Sequence, residues 1–491
     1  MTKSKGHEIV TVAEMAQADA SATAGDVTTF DLMLRAGGAV ADAITSRWSA
    51  RSVVVLCGPG NNGGDGFIVA QRLGEAGWPV RVASLGDVAR LKGAGARAAQ
   101  YWTGNIERMT DASAAGADLV IDALFGAGLT RPVPVTVKTV LSACEAARTP
   151  VVAIDLPSGL DGDTGKPFSY APKAALTVSF HRKKPAHVLE PGRSLCGELV
   201  IADIGLDAPS DEVRLWENLP DIWLDRYPWP STDTHKTERG RLVVVSGHAW
   251  NTGACRLASR AGLRIGAGLV TILSPIDALT SNASHLEAVM LVPFDSDAEL
   301  AQAADKADVA VIGPAAGVSP QTRANLKALA RTGAALVVDA DVLTSFRDAP
   351  GDLFSVLDRD DVLTPHPGEF ERIFPDLLKD TPERITAARK AAKRAGAVVL
   401  LKGADTVVAA PDGRAVVNTN AAPWLATAGS GDVLAGLVAG LIAQGMDSFD
   451  AACAGVWIHA EAGRTFGPGL ISEDLPGRVP AILATLLQRE A

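Results

Sequence analysis

The stretch SVVVLCGPGNNGGDGFIVAQRLGEAG, residues 52–77, joins an apolar run to a helix-like segment through a turn with five glycines in nine residues. A continuous apolar run predicts a strand buried on both faces, as in a parallel sheet covered by helices. Glycines permit positive φ angles and let a ligand approach the start of the helix, where backbone N–H groups favour anions. The stretch therefore predicts a strand–turn–helix unit with a ligand site. It matches neither a GxGxxG fingerprint nor a P-loop, because no Lys-Ser/Thr pair follows.

The same kind of unit recurs along the chain, and the alternation of apolar runs with helical segments predicts an α/β fold of two different three-layer domains, each with a parallel sheet covered by helices on both faces. The runs occupy residues 79–85, 117–126, 150–159 and 174–180, and then 241–247, 268–273, 307–313, 335–341 and 397–403. No residue-level repeat links the halves. Residues 207–240 between them concentrate Pro, Trp and charges without a period, so we place a boundary near Tyr227 and predict domains 1–226 and 227–491.

Composition restricts the class of protein. The net charge is −10 and no long Lys/Arg cluster occurs, which disfavours nucleic acid or an anionic membrane as a partner. The five cysteines form no CxxC pair, which argues against a disulfide framework or a zinc cluster. The N-terminus has no apolar signal core and no run is long enough to span a bilayer, so we expect a cytoplasmic protein. Its many apolar helices lead us to expect a homo-oligomer.

Polar side chains follow three predicted strands of the first half, and we expect them to converge at one edge of the sheet. Asn61 and Asn62 follow the first of these strands, Asp122 lies at the end of the second, and Asp155 and Ser158 follow the third. Oxygen ligands of this kind could hold a hard cation, and their low negative charge favours a monovalent ion. Taken singly, Asp155 and Ser158 could instead cap a helix or shape a turn.

Five motifs over residues 8–206 resemble, in order, the YjeF-type NAD(P)H-hydrate epimerase domain: GPGNNGGDG, IDALFGAGL, AIDLPSGLDGDTG, TVSFHRKKPAHVLEPG and VIADIGL. The resemblance implies a Rossmann-like domain that binds hydrated nicotinamide nucleotides, NADHX and NADPHX. Asp155 would be catalytic, shuttling the proton of departing and returning water, and Asn62, Asp122 and Ser158 would bind K⁺. The residues that would contact the substrate are Asn61, Asn62, Gly63, Gly64, Asp65, Gly126, Ala127, Gly128, Leu129, Thr130, Arg131, Pro132 and Asp155. GAGL here replaces the usual GTGL, which removes a hydroxyl from the second loop.

Three motifs of the second half stand at predicted strand–loop junctions: TPHPGE (364–369), LKGADT (401–406) and ATAGSGDVLAG (426–436). The last places Asp432 at a helix start after a small-residue turn, as in the catalytic turn of sugar and vitamin kinases. LKGADT offers N–H groups, a hydroxyl and a positive charge to a phosphate. Taken singly, Lys402 could be a surface residue of a hairpin, His366 a structural histidine and Asp432 a helix cap.

With SGHAWNTGA (246–254) and GPAAG (313–317), these motifs resemble the ribokinase-like NAD(P)H-hydrate dehydratase domain over about residues 235–487. The resemblance implies that Asp432 is catalytic and that ADP is a co-substrate, with Mg²⁺. Contacts to the hydrated nucleotide would come from Ala254, Gly317, His366 and Asp432. ADP or AMP would be held by Lys402, Gly403, Ala404, Asp405, Thr406 and Gly431. GPAAG replaces a more usual GPGLG, and Trp424 stands where smaller residues are usual, which would narrow the pocket.

The two resemblances together imply a bifunctional repair enzyme. Its first half would interconvert the R and S forms of NAD(P)H hydrate, and its second half would dehydrate the S form at the expense of ADP. One alternative is a small-molecule kinase for a vitamin precursor with a regulatory N-terminal domain, which AGSGD alone would allow but the accompanying GNNGGDG disfavours. Another is a nucleotide-sensing or scaffold module, which the presence of Asn62, Asp122, Asp155 and Ser158 disfavours.

Overall fold

A computed structural model describes residues 6–25, 27–208, 214–380 and 383–490. The chain divides into two compact units, Lys5–Val213 and Arg214–Ala491. The predicted domains 1–226 and 227–491 are corrected accordingly, because the segment before Tyr227 belongs to the second unit. Within that segment, Leu215–Glu217 pairs as a strand with Ala415–Val417, and Trp223 is buried in the core of the second unit.

The first unit contains a seven-stranded sheet with the strand order β3-β2-β1-β4-β5-β6-β7, in which every pairing is parallel. The strands are β1 Val53–Cys57, β2 Val80–Ser84, β3 Ile106–Arg108, β4 Leu119–Ala123, β5 Val151–Ile154, β6 Leu176–Phe180 and β7 Glu198–Ala202. The helices are α1 Val12–Thr23, α2 Thr29–Thr45, α3 Asn61–Glu75, α4 Gly93–Tyr101, α5 Val135–Ala147 and α6 Gly192–Cys196.

Strand β1 explains why this unit has three layers. All five of its residues are buried. Val55 packs in one apolar cluster with Phe67 of α3, while Val54 packs in another with Val140 of α5. Successive side chains of a strand point to opposite faces, so both faces of the sheet are covered and the predicted three-layer architecture is confirmed.

The second unit contains a ten-stranded sheet with the order β11-β10-β9-β12-β13-β14-β15-β16-β17-β8. Among the strand pairings that the structure describes in this sheet, only the two made by β16 are antiparallel. The strands are β8 Leu215–Glu217, β9 Arg241–Val245, β10 Leu269–Pro275, β11 Met290–Phe294, β12 Val309–Ile312, β13 Ala335–Val338, β14 Val362–Leu363, β15 Val398–Leu401, β16 Val407–Ala409 and β17 Ala415–Val417.

The helices of the second unit include two, α7 and α16, that pack closely. A Cβ atom on Gly436 of α16 would lie 2.1 Å from the carbonyl oxygen of Ala258 in α7, so only glycine permits this approach. The helices are α7 Gly253–Ile265, α8 Leu279–Ala283, α9 Asp297–Ala303, α10 Pro320–Ala330, α11 Asp341–Ser345, α12 Pro350–Phe354, α13 Pro367–Ile373, α14 Leu377–Asp380, α15 Arg384–Ala395, α16 Ser430–Ala443, α17 Ser448–Phe466 and α18 Leu475–Glu490.

All five cysteines are buried free thiols. Among the described residues, no helix combines the length and the apolar character needed to cross a bilayer.

Candidate active sites

A cavity of about 620 Å³ opens at the carboxyl edge of the sheet of the first unit. Most of the residues predicted to contact the substrate line it: Asn61, Asn62, Asp65, Gly126, Ala127, Gly128, Leu129, Thr130, Arg131 and Asp155. Gly63, Gly64 and Pro132 do not line the cavity. Gly63 is instead required by the turn, because a Cβ atom there would lie 1.9 Å from the carbonyl oxygen of Gly58.

The glycine-rich turn leaves the start of α3 open to a ligand. The N-cap residue is Gly60, and no side chain caps the first turn of the helix. A helix start without a protein cap has N–H groups that an anion can satisfy. The turn thus leaves these N–H groups available to an anion, and phosphate binding there stays a prediction.

Asp155 follows β5 with a φ of 66°, and its carboxylate accepts three hydrogen bonds. Its Oδ1 accepts from Lys184 Nζ at 2.8 Å and from Ser179 Oγ at 2.9 Å, and its Oδ2 accepts from the Ala127 N–H at 2.8 Å. Burial would raise the pKa of Asp155, but the Lys184 ammonium group and the Ala127 N–H hold it well below its usual range. Asp155 is therefore ionised at neutral pH.

His187 fixes the backbone on both sides of this ion pair. Its Nδ1 accepts from the Lys184 N–H at 2.9 Å, so its Nε2 carries the proton and donates to the Asp155 carbonyl at 2.9 Å. Burial and the Lys184 charge lower the pKa of His187 to about 4, which keeps the ring neutral. Our sequence reasoning assigned no role to Lys184, Ser179 or His187. The signal was present in SFHRKKPAH, where charged residues directly follow a buried strand.

Of the three predicted K⁺ ligands, Asp122 and Ser158 are buried and hydrogen bonded to each other, while Asn62 lines the cavity. Ser158 donates from Oγ to Asp122 Oδ1 at 2.6 Å and from its N–H to Asp122 Oδ2 at 2.8 Å. Burial raises the pKa of Asp122 to about 6, although the Ser158 hydrogen bonds oppose the shift. Asn62 lies by the second loop, since a Cβ atom on Gly126 would be 3.2 Å from its Oδ1.

The donor set fits a cation of low charge. The buried Nδ2 of Asn62 has no hydrogen-bond partner among the described residues. A half-turn of the amide would replace this unpaired donor with an oxygen ligand. One carboxylate, one hydroxyl and one amide oxygen are hard ligands with a single negative charge, which suits a monovalent ion.

The second site lies at the carboxyl ends of β13, β14 and β15, beside the start of α16. Lys402 Nζ is 2.9 Å from Asp339 Oδ1 and 3.9 Å from Glu369 Oε2. A Cβ atom on Gly431 would lie 3.4 Å from Lys402 Nζ. Burial and the neighbouring Asp339 charge raise the pKa of Asp432 to about 6, while Lys402 opposes this shift. Lys402, Gly431 and Asp432 thus lie together, with two carboxylates that we did not predict, Asp339 and Glu369. Binding of a nucleotide or substrate by this group stays a prediction.

His366 is the N-cap of α13 in the described structure. Its Nδ1 accepts from the Gly368 N–H at 3.0 Å, and Glu369 Oε2 accepts from the His366 N–H at 2.9 Å. His366 therefore has a structural role as a helix cap, which the sequence left open as one interpretation. Its Nε2 lies 3.3 Å from Glu369 Oε1, and its side chain is half exposed, so contact with a ligand stays a prediction.

The turn at 402–406 is held by its own side chains. The Gly403 N–H donates to Thr406 Oγ at 3.0 Å, and Thr406 Oγ donates to the Gly403 carbonyl at 2.8 Å. Asp405 forms an ion pair with Arg384 at 3.1 Å and is almost fully buried. The side chains of Asp405 and Thr406 therefore shape the turn, and Ala404 can offer a ligand only backbone atoms.

Ala254 and Gly317 lie at the same edge of the sheet, where α7 follows β9 and a turn follows β12. Strands β9 and β12 are neighbours in the sheet, and β12 also pairs with β13. Asp339 directly follows β13, so Ala254 and Gly317 lie at the sheet edge that also carries Asp339. Gly317 has a φ of 79° and donates its N–H to Asp341 Oδ2 at 2.8 Å. Trp424 lies in a short 3₁₀ turn, Pro423–Leu425, with its side chain partly exposed. Its effect on the pocket stays a prediction.

Two protein families match the chain, one in each unit. The family described as YjeF-related protein N-terminus matches residues 29–186. The family described as NAD(P)H-hydrate dehydratase matches residues 242–470. The order of the two matches agrees with the order of the two resemblances seen in the sequence.

Curated relatives match nearly the full chain. The bifunctional NAD(P)H-hydrate repair enzyme Nnr of Moorella thermoacetica is 35% identical over 93% of this chain and 92% of its own length. The proteins of the same name from Thermofilum pendens and Escherichia coli K12 are 33% and 32% identical. They cover 93% and 91% of this chain and 92% and 88% of their own lengths.

A solved ribokinase-like superfamily protein from Enterococcus faecalis V583 shares the fold of the second unit. It superposes with a TM-score of 0.51 at 24% identity, covering 56% of this chain and 96% of its own. The predicted ribokinase-like fold is confirmed by this likeness.

Proposed function

The chain belongs to the family of bifunctional NAD(P)H-hydrate repair enzymes, and we propose from this premise that its first unit interconverts the R and S forms of NADHX and NADPHX. Its second unit dehydrates the S form to NADH or NADPH. The observation that carries the proposal is the pair of separate sites, each with a carboxylate paired with a lysine. In the first site Asp155 pairs with the buried Lys184, and in the second Asp339 pairs with the partly buried Lys402, next to Asp432.

Epimerisation requires the hydroxyl at C6 of the nicotinamide ring to leave and water to return on the other face. The ionised Asp155, held by Lys184 and the Ala127 N–H, can accept the proton of the returning water. The open start of α3 would hold the phosphates of the substrate. Asn62, Asp122 and Ser158 would hold K⁺, which offsets the negative charge of those phosphates.

Dehydration requires the same hydroxyl to leave together with a proton from the neighbouring ring carbon. We propose ADP, with Mg²⁺, as the co-substrate whose phosphoryl group turns the hydroxyl into a better leaving group. Asp432 at the start of α16 can take the hydroxyl proton, since its pKa of about 6 suits a general base. The N-cap of α16, Gly429, has a φ of 85° and the helix has no side-chain cap, which supports phosphate binding there.

The test is recovery of absorbance from the dihydronicotinamide when purified protein receives NADPH hydrate, ADP and Mg²⁺. With a mixture of R and S forms, all of the hydrate should be recovered. The D155N variant should recover only the S fraction, and D432N should recover neither. Transfer of phosphate from ATP to a vitamin-precursor alcohol, without recovery of NADPH, would instead support the kinase alternative.

We also propose that the protein is a homo-oligomer of the cytosol. The edge strand β11 supports assembly, because Met290 and Val292 expose 45% and 36% of their surface on it. Light scattering on the purified protein gives the mass of the particle. A monomer at micromolar concentration would exclude stable assembly.

A further inference from the structure

The cavity of the first unit contains a second carboxyl group that the mechanism above does not use. Asp65, the fifth residue of α3, lines the cavity together with Asp155, which follows β5. The two carboxyls reach the cavity from different strand ends, because α3 follows β1 and strand β4 lies between β1 and β5 in the sheet. The two carboxyl groups thus face one cavity from different strand ends of the same sheet edge.

The two carboxyls have opposite environments. Asp155 accepts hydrogen bonds from Lys184, Ser179 and Ala127. Within the described ranges, no group donates a hydrogen bond to the carboxyl of Asp65. A carboxylate without donors or a cation is poorly stabilised out of water.

The protonation states differ for the same reason. Burial, together with the negative charges of Asp155 and Asp19, raises the pKa of Asp65 well above its usual value. Asp19 of α1 also lines the cavity, and burial raises its pKa as well, while the Lys184 charge opposes this. Arg131 is the other charged residue of the cavity lining. The cavity thus combines a carboxyl group whose surroundings favour its protonated form, Asp65, with one whose surroundings favour its ionised form, Asp155.

We propose that Asp65 is a second catalytic residue of the epimerase site and acts on the face of the nicotinamide ring opposite to Asp155. This inference rests on the proposed epimerase function. It assigns to Asp65 the protonation of the leaving hydroxyl and to Asp155 the deprotonation of the entering water.

The step balances without an oxidant or reductant. As the C6–O bond breaks, its electron pair stays with the oxygen, which takes the proton of Asp65 and leaves as water. The lone pair of the ring nitrogen stabilises the cation. Water then adds to C6 from the other face and its proton passes to Asp155. The reverse reaction exchanges the two roles, and proton exchange with solvent in the open cavity resets them after a net forward turnover.

The experiment uses the full chain and the variant Asp65→Asn, with R-NADPHX as substrate and an excess of ADP and Mg²⁺. The second unit then converts each S molecule formed into NADPH, whose absorbance is followed. Its rate on pure S-NADPHX, measured separately, shows that the variant chain is intact. We expect the kcat for the R form to fall about 100-fold or more, the usual contribution of an acid–base group, with KM changed less than about threefold. Incorporation of ¹⁸O from labelled water should fall in parallel.

Asp65→Glu distinguishes chemistry from structure, because it retains the carboxyl group. It should retain far more activity than Asp65→Asn. Its kcat and that of the unmutated protein should decline as pH rises through the pKa of the carboxyl. Asp42→Asn on the exposed face of α2 is the matched control and should leave the rate unchanged.

Three outcomes would overturn the inference: an Asp65→Asn kcat within threefold of the unmutated protein, a loss that lies in KM alone, or equal losses in Asp65→Asn and Asp65→Glu. If the unmutated chain did not convert the R form at all, the proposed epimerase function would fail instead, and the two failures are thereby distinguishable.

Discussion

The largest stabilisation of the Asp155 charge comes from the buried ammonium group of Lys184, 2.8 Å from Oδ1. Lys184→Met keeps the length and apolar stem of the side chain but leaves the carboxylate without its cation. Burial then dominates, so the pKa of Asp155 should rise. We expect epimerisation by this variant to decline as pH falls from about 8 to 5, whereas the unmutated protein shows no such acid limb.

The measurement is kcat for the R form against pH, with Lys138→Met on the exposed side of α5 as the control. Dehydration of the S form should be unaffected by either variant. An unchanged pH profile for Lys184→Met would contradict the role given to this lysine.

The raised pKa of Asp432 leads to a second prediction, which concerns the free energy of unfolding of the second unit. Its pKa is raised to about 6 in the folded state, so the folded protein binds this proton more tightly than the unfolded chain. The resulting stabilisation is fully present below the unfolded pKa of about 3.9 and is lost as pH rises through about 6. Asp432→Asn removes the ionised group, so it should stabilise the second unit by ~1–2 kcal/mol near pH 7.5 after allowance for partial exposure. Thermal unfolding should show a gain at pH 7.5 and none near pH 4, while dehydration is lost.

The strand-end rule was sufficient to predict Asp122, Asp155 and Ser158 as neighbours, because parallel strands end at one edge. It could not select Lys184 from the adjacent pair of lysines. The chain turns at His181, where φ is 64°, and that local conformation decides which lysine points inward. Asp339 was missed for a similar reason. Ala340, which stands between Asp339 and Asp341, has a φ of 50°, and the sequence does not show this local conformation or which of the two aspartates it turns toward the site.

At the scale of elements, the contact between α7 and α16 determines where Asp432 lies. A Cβ atom on Gly436 would be 2.1 Å from the Ala258 carbonyl, so Gly436→Ala must push the helices apart. We expect a loss of ~2–3 kcal/mol in stability and a fall in kcat/KM for dehydration, because the start of α16 moves.

Gly477→Ala in α18 is the matched substitution. No atom lies within 4 Å of the added methyl group, so it should stabilise the protein by ~0.5–1 kcal/mol through helix propensity. Denaturant unfolding gives both values. Equal effects of the two substitutions would show that helix packing is not tight at Gly436.

Buried strands were predictable, whereas the two edge strands of the second sheet were not. Strands β1, β4, β5, β9 and β12 are fully or almost fully buried apolar runs, and each lies within a predicted run. The edge strand β11 is mostly exposed and β8 has only three residues, so neither has the buried apolar pattern on which sequence reasoning depends. The location of β8 is known only from its pairing with β17.

At the scale of the whole molecule, β8 also sets the boundary between the units. The segment before Tyr227 is tied to the second unit by Asn218, whose Nδ2 donates to Asn418 Oδ1 at 3.0 Å and to the Cys453 carbonyl at 2.8 Å. Trp223 is fully buried and donates from Nε1 to Asn218 Oδ1 at 3.2 Å. The tryptophans and prolines of 207–240 resembled a connector in the sequence because their partners lie about 200 residues away along the chain.

These contacts predict how the chain can be divided. A fragment that begins at Arg214 should fold and dehydrate the S form with ADP, since it retains β8, Asn218 and Trp223. A fragment that begins at Tyr227 loses the strand and leaves the Trp223 pocket empty, which alone should cost ~3–5 kcal/mol. Calorimetry of the two fragments should therefore give a markedly lower midpoint for the shorter one. Equal midpoints would mean that β8 and Trp223 only cover a unit that is already complete.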